Sequence, residues 1–307
     1  MEKKKSIINI REILITLFIV LAFIVVGSIK DIDITTKLFK PDAPSVFVIL
    51  FVAIGEYPAY LGLILSGTLL MLMFKNINKW FRWLCLIVSI IFIGFSLYRT
   101  IHNSFNLSDY LKDSSRLLLL EILFSVLGVL TSVIVFLLTW RIAKNKSIRE
   151  MFTVAFFVGM LCGSQFAANT VLKYLFSRPR PMYLYSINKF EAGFKNWWQL
   201  NPLAAFEGGS DYKSCPSGHA SSSITLAFVL PAFTLLTEKH KNDQKLQIAL
   251  YYTGFVFALL VGFSRIYSGA HYTSDVGMGY LVTVIIGWVF NNFLNRKFEE
   301  RAILEKE

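Results

Sequence analysis

The chain has 307 residues, of which 55% are hydrophobic and only 17% are charged, whereas soluble domains carry about 25% charged residues. This composition excludes a disordered chain and leaves too few charges to coat a soluble globule. The net charge of +11 would favour nucleic acid as a partner if the protein were soluble. Because the three cysteines, Cys85, Cys162 and Cys215, are scattered and form no CxxC pair, neither a zinc site nor a disulfide framework is indicated.

Eight runs of mostly apolar residues have about the length that crosses a bilayer core about 30 Å thick. They predict an all-α fold, a polytopic membrane helix bundle of about eight transmembrane helices. The first run follows a basic start and could be a signal peptide, but its length and the lack of a clear cleavage site favour a retained anchor helix. The predicted spans are 13–29, 58–74, 83–101, 117–140, 151–172, 220–237, 246–263 and 274–294.

The apolar stretch around the second span begins at Val46 and is too long for one membrane crossing. Gly55 to Pro58 is the expected break, because proline lacks the N–H group that a first helical turn leaves unsatisfied. We therefore predict a short helix at 44–54 lying at the membrane interface, followed by the span.

Lysine and arginine are densest in the short segments that share a side with the N-terminus. The positive-inside rule then predicts a multi-pass protein of the cell membrane with both termini cytoplasmic, including a tail at 295–307. On this topology much of the positive charge fixes orientation, and no nucleic-acid partner is expected.

Small residues recur inside two predicted spans. Gly159 and Gly163 form a GxxxG pattern, which either brings helices close together in lipid or is a chance pairing in an apolar run. Gly277 and Gly279 are candidates for the same packing role in the last span.

Several charged residues near helix ends have open roles. Glu56 and Glu121 are functional candidates because a carboxylate at membrane depth is expensive, or they merely pair with Arg99 or Arg116. Arg178 is expected to contact a lipid headgroup or water.

Polar residues collect where four consecutive predicted spans reach the outer face. Lys173, Arg180 and Arg265 come from two helix ends, and such cations bind phosphate oxygens. Ser217 and Gly218 directly precede a predicted helix, where free N–H groups and the helix dipole also favour an anion. Since only one carboxylate is nearby, the pattern predicts a phosphate site without a metal.

Two histidines and that carboxylate complete the cluster. His271 and Asp275 are four residues apart, so on a helix the carboxylate would hold one imidazole nitrogen and leave the other as a nucleophile. His219, on a separate element, is the candidate general acid. The alternative, in which each residue is only a solvated or snorkelling side chain, would have to hold at four span ends at once.

This pattern resembles the type 2 phosphatidic acid phosphatase superfamily, whose signature is K-x6-RP, PSGH and SR-x5-H-x3-D. The resemblance covers about 151–294 and implies a six-helix phosphatase core, which we place at 81–294 with an outer loop at 173–219. Residues 1–80 would then be an N-terminal transmembrane addition. The matching positions are Lys173, Arg180, Pro181, Pro216, Ser217, Gly218, His219, Ser264, Arg265, His271 and Asp275.

The resemblance implies a metal-independent hydrolase with no cofactor. The three cations, Ser217 and the Gly218 amide would bind phosphate, and His271 would form a phosphohistidine supported by Asp275. His219 would protonate the leaving oxygen, and water would then release phosphate.

A site at the outer surface of the bilayer favours a membrane lipid phosphate that enters sideways from the outer leaflet. The candidates are undecaprenyl pyrophosphate, phosphatidylglycerol phosphate, phosphatidate and a lipid A phosphate, although glucose-6-phosphatase shares the motif and leaves a soluble substrate open. Two alternatives remain: a phosphotransferase that passes the phosphate to a second lipid, and a non-enzymatic transporter or scaffold on the same fold. The oligomeric state is not predicted.

Overall fold

The computed structural model describes residues 8–39, 45–76, 78–104, 107–108, 114–202, 204–240 and 243–304. Within these residues the protein is helical and has no strands, as predicted. The basic start at residues 3–5, the first residue of the predicted interfacial helix and the end of the predicted tail lie outside them. The helices are α1 (Ile10–Leu38), α2 (Val46–Ile54), α3 (Tyr57–Leu72), α4 (Lys79–Ser104), α5 (Ser114–Ala143), α6 (Ile148–Phe176), α7 (Pro181–Ser186), α8 (Ala204–Glu207), α9 (Gly218–Thr234), α10 (Gln244–Tyr267) and α11 (Thr273–Leu304).

Seven helical runs in the described part of the chain are long and apolar enough to cross a membrane. They account for seven of the eight predicted spans, and the exception is the sixth, which corresponds to α9. This helix has 17 residues, or about 25 Å at 1.5 Å per residue. Because α3, α6, α10 and α11 all pack against α9, it needs no lipid-facing apolar surface and carries buried serines instead.

Contacts between the helices show that α1 runs antiparallel to α11 and that α3 runs antiparallel to α4. Near one end of the bundle, Asp31 late in α1 contacts Ser274 at the start of α11, and Arg99 late in α4 contacts Glu56 before α3. At the opposite end, the backbone N–H of Ile8 donates to Asn291 (3.2 Å). The start of α1 and the distal part of α11 therefore lie together, at the end of the bundle that is remote from Asp31 and Glu56.

The helix breaks at Gly55 and Glu56, where the sequence predicted it, and α2 covers most of the predicted 44–54 helix, whose placement at the membrane interface stays a prediction. Side chains from other helices bind carbonyl groups near this break. Asn103 donates to the Ala53 carbonyl (2.9 Å), and a ring nitrogen of His219 contacts the Val52 carbonyl (3.0 Å). The break therefore lets backbone groups of α2 contact the predicted site.

Close helix packing depends on some of the predicted small residues. A Cβ atom at Gly159 would lie 2.6 Å from Ser66 Oγ on α3, whereas one at Gly163 would have no neighbour within 4 Å. The GxxxG prediction therefore holds for its first glycine only. Gly277 packs against α1, and Gly279 packs against the start of α9 with no room for a side chain.

Candidate phosphate site

The structure places all eight predicted site residues at one end of the bundle, where loops join the helices. This end is formed by the last turns of α6 and α10 and the first turns of α9 and α11. The residues are Lys173 near the end of α6, Arg180 before α7, Ser217, Gly218 and His219 at the start of α9, Arg265 near the end of α10, His271 before α11 and Asp275 in its first turn.

The charges of the three cations act on His271. The imidazole is 1% exposed, and this burial lowers its pKa well below the usual value, an effect reinforced by the charges of Arg180, Arg265 and Lys173. A Cβ atom added to Gly218 would lie 3.2 Å from Lys173 Nζ, so the glycine lets this cation approach the start of α9. The arrangement holds a neutral imidazole among positive charges, as an anion-binding site with a nucleophile requires.

The orientation of His271 differs from the prediction. Because α11 begins at Thr273, His271 lies in the preceding turn and does not share a helical turn with Asp275. Its Nδ1 contacts the carbonyl oxygen of Ser214 (2.6 Å), which can only accept a hydrogen bond. Nδ1 therefore carries the proton, and Nε2 keeps the lone pair that a nucleophile needs.

Asp275 acts on this arrangement through Ser214. Its carboxylate accepts hydrogen bonds from Ser214 Oγ (2.6 Å) and from the backbone N–H of Tyr272 (3.0 Å). The second bond caps the start of α11, and the first holds the residue whose carbonyl orients His271. The direct contact expected between Asp275 and His271 is replaced by this indirect one.

Arg178 lies in a different environment from the one its sequence position predicts. Instead of facing water or headgroups, it is 1% exposed. Its guanidinium contacts Asp275 (2.6 Å) and Asp31 (3.0 Å), donates to Ser274 Oγ (2.8 Å) and lies over the ring of Tyr272. Asp31 comes from α1, 147 residues earlier, and no short motif could have indicated this pairing.

His219 is held by two groups from the α2–α3 region. Its Nε2 contacts the Val52 carbonyl (3.0 Å), and its Nδ1 lies 3.3 Å from Glu56 Oε1. The other carboxylate oxygen of Glu56 contacts Arg99 (3.2 Å) and Tyr60. The predicted pairing of Glu56 with Arg99 is therefore confirmed, and Glu56 also contacts the candidate general acid.

The loop before α9 ends in the residue that caps this helix. Ser217 is the N-cap of α9, where its Oγ accepts from Ala220 N–H (3.4 Å) and its own N–H donates to the Asp275 carbonyl (2.9 Å). The Gly218 N–H lies at the start of the helix, where such groups have no partner within the helix. Burial raises the pKa of the neighbouring Cys215 thiol, so this residue is a protonated filler.

Fold and site together define an integral membrane helix bundle with a cationic, histidine-containing site at one end. The family model of the PAP2 superfamily matches residues 152–299. This region of the chain belongs to that superfamily, which confirms the resemblance to the type 2 phosphatidic acid phosphatases. No curated protein and no solved structure matched the chain.

Membership indicates phosphatase activity on phosphate esters, typically with lipid substrates. The matched region includes all three sequence motifs but neither Asp31 nor Glu56. Among the described residues, no group of three or more His, Cys, Asp or Glu side chains is arranged to hold a metal ion.

Proposed function

We propose that this protein is a membrane phosphatase that hydrolyses a lipid phosphate or pyrophosphate through a phosphohistidine on His271, without a metal or other cofactor. The observation that carries the proposal is the neutral imidazole of His271, fixed by the Ser214 carbonyl and surrounded by three cations. The substrate candidates are undecaprenyl pyrophosphate, phosphatidylglycerol phosphate, phosphatidate and a lipid A phosphate.

The reaction has two steps. In the first, His271 Nε2 attacks phosphorus, an N–P bond forms, and the P–O bond to the leaving group breaks as His219 donates a proton to the leaving oxygen. In the second, water attacks the phosphohistidine, His219 takes a proton from the water, and inorganic phosphate leaves. Lys173, Arg180 and Arg265 stabilise the phosphoryl oxygens in both steps.

A large apolar cavity supports a lipid substrate. It has a volume of about 490 Å³ and lies among α3, α5, α9 and α10. One end is lined by Ile54 and Tyr57, which flank the Gly55–Glu56 break, and Leu127, Val229 and Phe257 are among the other lining residues. Such a lining suits a hydrocarbon chain, since it offers almost no polar group to a ligand.

The apolar helices identify a membrane protein, and we assign it to the cell membrane with both termini cytoplasmic. This orientation rests on the distribution of Lys and Arg and on the opposite placement of the start of α1 and the site. The site then faces outward, where a lipid of the outer leaflet reaches it directly.

The proposed function is tested by measuring phosphate release from the four candidate lipid classes with purified protein at neutral pH in EDTA. We expect release from at least one class and competition by orthovanadate, an analogue of the phosphoryl transition state. Labelled substrate supplied with a second lipid separates hydrolysis from phosphotransfer. No release and no transfer from any class would contradict the proposal and favour a transporter or scaffold.

Replacement of Gly218 by alanine is expected to lower kcat/KM by roughly tenfold, because small displacements in a catalytic site are expensive. The new Cβ would lie 3.2 Å from Lys173 Nζ and 3.3 Å from Glu56 Oε1, so both side chains must shift. Gly163→Ala is the matched control, since a Cβ there has no neighbour within 4 Å. Equal kcat/KM for the two variants would show that Gly218 is not part of the site.

A further inference from the structure

Glu56 lies at the corner between α2 and α3, outside the region that matches the family model. It is 7% exposed, and its two carboxylate oxygens have different partners. Arg99 and Tyr60 bind Oε2, whereas Oε1 lies 3.3 Å from Nδ1 of His219. Because Arg99 and Tyr60 hold one oxygen, the other is directed at the histidine.

The contacts of His219 determine where its protons lie. Its Nε2 contacts the Val52 carbonyl oxygen (3.0 Å), which only accepts hydrogen bonds, so Nε2 carries a hydrogen. A bare Nδ1 facing an ionised carboxylate would set two acceptors against each other. A proton between Nδ1 and Glu56 Oε1 would remove this conflict.

That proton lies beside the phosphate-binding groups. A Cβ atom at Gly218 would be 3.3 Å from Glu56 Oε1 and 3.2 Å from Lys173 Nζ, so carboxylate and cation border the same glycine. Burial lowers the pKa of His219 to about 3, and the charges of Arg265 and Lys173 reinforce this effect, whereas Glu56 opposes it. A bound phosphate offsets the charges of the two cations and so raises the pKa of His219, and Glu56 is then the group placed to hold the second proton at Nδ1.

We propose that Glu56 is a positioning residue for the general acid: it holds the proton at His219 Nδ1, from which the leaving oxygen is protonated. The inference rests on the proposed function. When the N–P bond to His271 forms and the P–O bond breaks, the Nδ1 proton passes to the leaving oxygen, and the imidazolium of His219 becomes a neutral imidazole that keeps its Nε2–H on the Val52 carbonyl. The attacking water later returns a proton to Nδ1, and Glu56 holds it there.

The test compares two substrates that differ in their leaving group. An alkyl phosphate has a basic leaving oxygen that needs a proton, whereas p-nitrophenyl phosphate has a weakly basic one that leaves without it. Glu56→Gln is expected to lower kcat on the alkyl phosphate by roughly 10²-fold or more, the usual contribution of general acid catalysis. Its kcat on p-nitrophenyl phosphate is expected to stay within about threefold of wild type.

A double-mutant cycle, which compares kcat of the single and double variants, tests whether Glu56 acts through His219. We expect that Glu56→Gln added to His219→Gln lowers kcat on the alkyl phosphate no further, because the proton donor is already absent. Glu238→Gln, a carboxylate change at an exposed residue that pairs with Lys146 (2.8 Å), is the control and should leave both rates unchanged.

The outcomes separate the inference from the proposed function. Equal losses on both substrates, or additive losses in the double variant, would overturn the role of Glu56 and identify it as a structural residue. If the wild-type protein hydrolysed neither these substrates nor the candidate lipids, the proposed function itself would fail.

Discussion

His271→Ala is expected to abolish the phosphoenzyme and to lower kcat by about 10⁴-fold or more, as removal of a covalent nucleophile does in other enzymes. The imidazole is the neutral group among the three cations, and its Nδ1–H is already committed to the Ser214 carbonyl. Brief reaction with ³²P-labelled lipid phosphate, followed by alkaline denaturation, should trap label on the wild-type protein and none on the variant.

The control for this experiment is His240→Ala. His240 lies in the turn between α9 and α10 at the opposite end of the bundle, so the variant should form the phosphoenzyme normally. Because His271 is buried, His271→Asn provides a second variant that keeps a polar side chain at this position. Label retained on either His271 variant, with an unfolding midpoint near that of wild type, would place the nucleophile elsewhere.

Arg178→Met is expected to lower the free energy of unfolding by about 3–5 kcal/mol, the usual effect of removing one partner from a buried ion pair. The guanidinium contacts Asp31 and Asp275, and all three side chains are at most 2% exposed. Methionine would replace the packing of the aliphatic stem but would leave two buried carboxylates without their cation. Chemical unfolding of the purified protein in detergent micelles measures the difference.

Two further variants give this prediction a control and a cross-check. Lys30→Met removes an ion pair with Asp33 on the same helix as Asp31, but both side chains are more than half exposed, so no measurable change is expected. Asp31→Asn should restore part of the stability lost in Arg178→Met, because it removes one of the unpaired charges. The prediction is wrong if Arg178→Met is as stable as Lys30→Met.

Arg178 stabilises the fold and also supports the position of His271 in the site. It bonds Asp275, which bonds Ser214, whose carbonyl orients His271. The chain from α1 through Arg178 to the imidazole therefore makes an N-terminal helix part of the support of the site. Glu56 provides a comparable link from α3 to His219.

These two links explain how α1 and the corner between α2 and α3 contact the site although the family match begins at residue 152. Packing is one reason, since α1 lies along α11, and α3 lies along both α6 and α9. Electrostatics is the other, since each N-terminal helix contributes one buried carboxylate to the cationic end of the bundle. Our division into an N-terminal addition and a phosphatase core stays a prediction about domain boundaries.

Local chemistry let the sequence predict much of the architecture. Apolar runs of spanning length identified the membrane helices, and the Gly55–Pro58 segment predicted the break between α2 and α3. The sixth predicted span corresponds to α9, which has 17 residues and several buried serines, because a helix enclosed by other helices can be shorter and more polar than one in lipid. Gly163, which has no neighbour within 4 Å of an added Cβ, shows equally that the GxxxG motif does not reveal what faces each of its glycines.

For the site, the sequence by itself determined which residue types meet at one end of the bundle, because motif spacing and span order place four helix ends on the same side. Only the tertiary structure decided the partner of each group. His271 binds the Ser214 carbonyl because α11 starts two residues later, and Arg178 is buried because Asp31 reaches it from α1. Spacing determines which residues share a turn, whereas hydrogen bonds between helices depend on packing that joins residues more than a hundred positions apart.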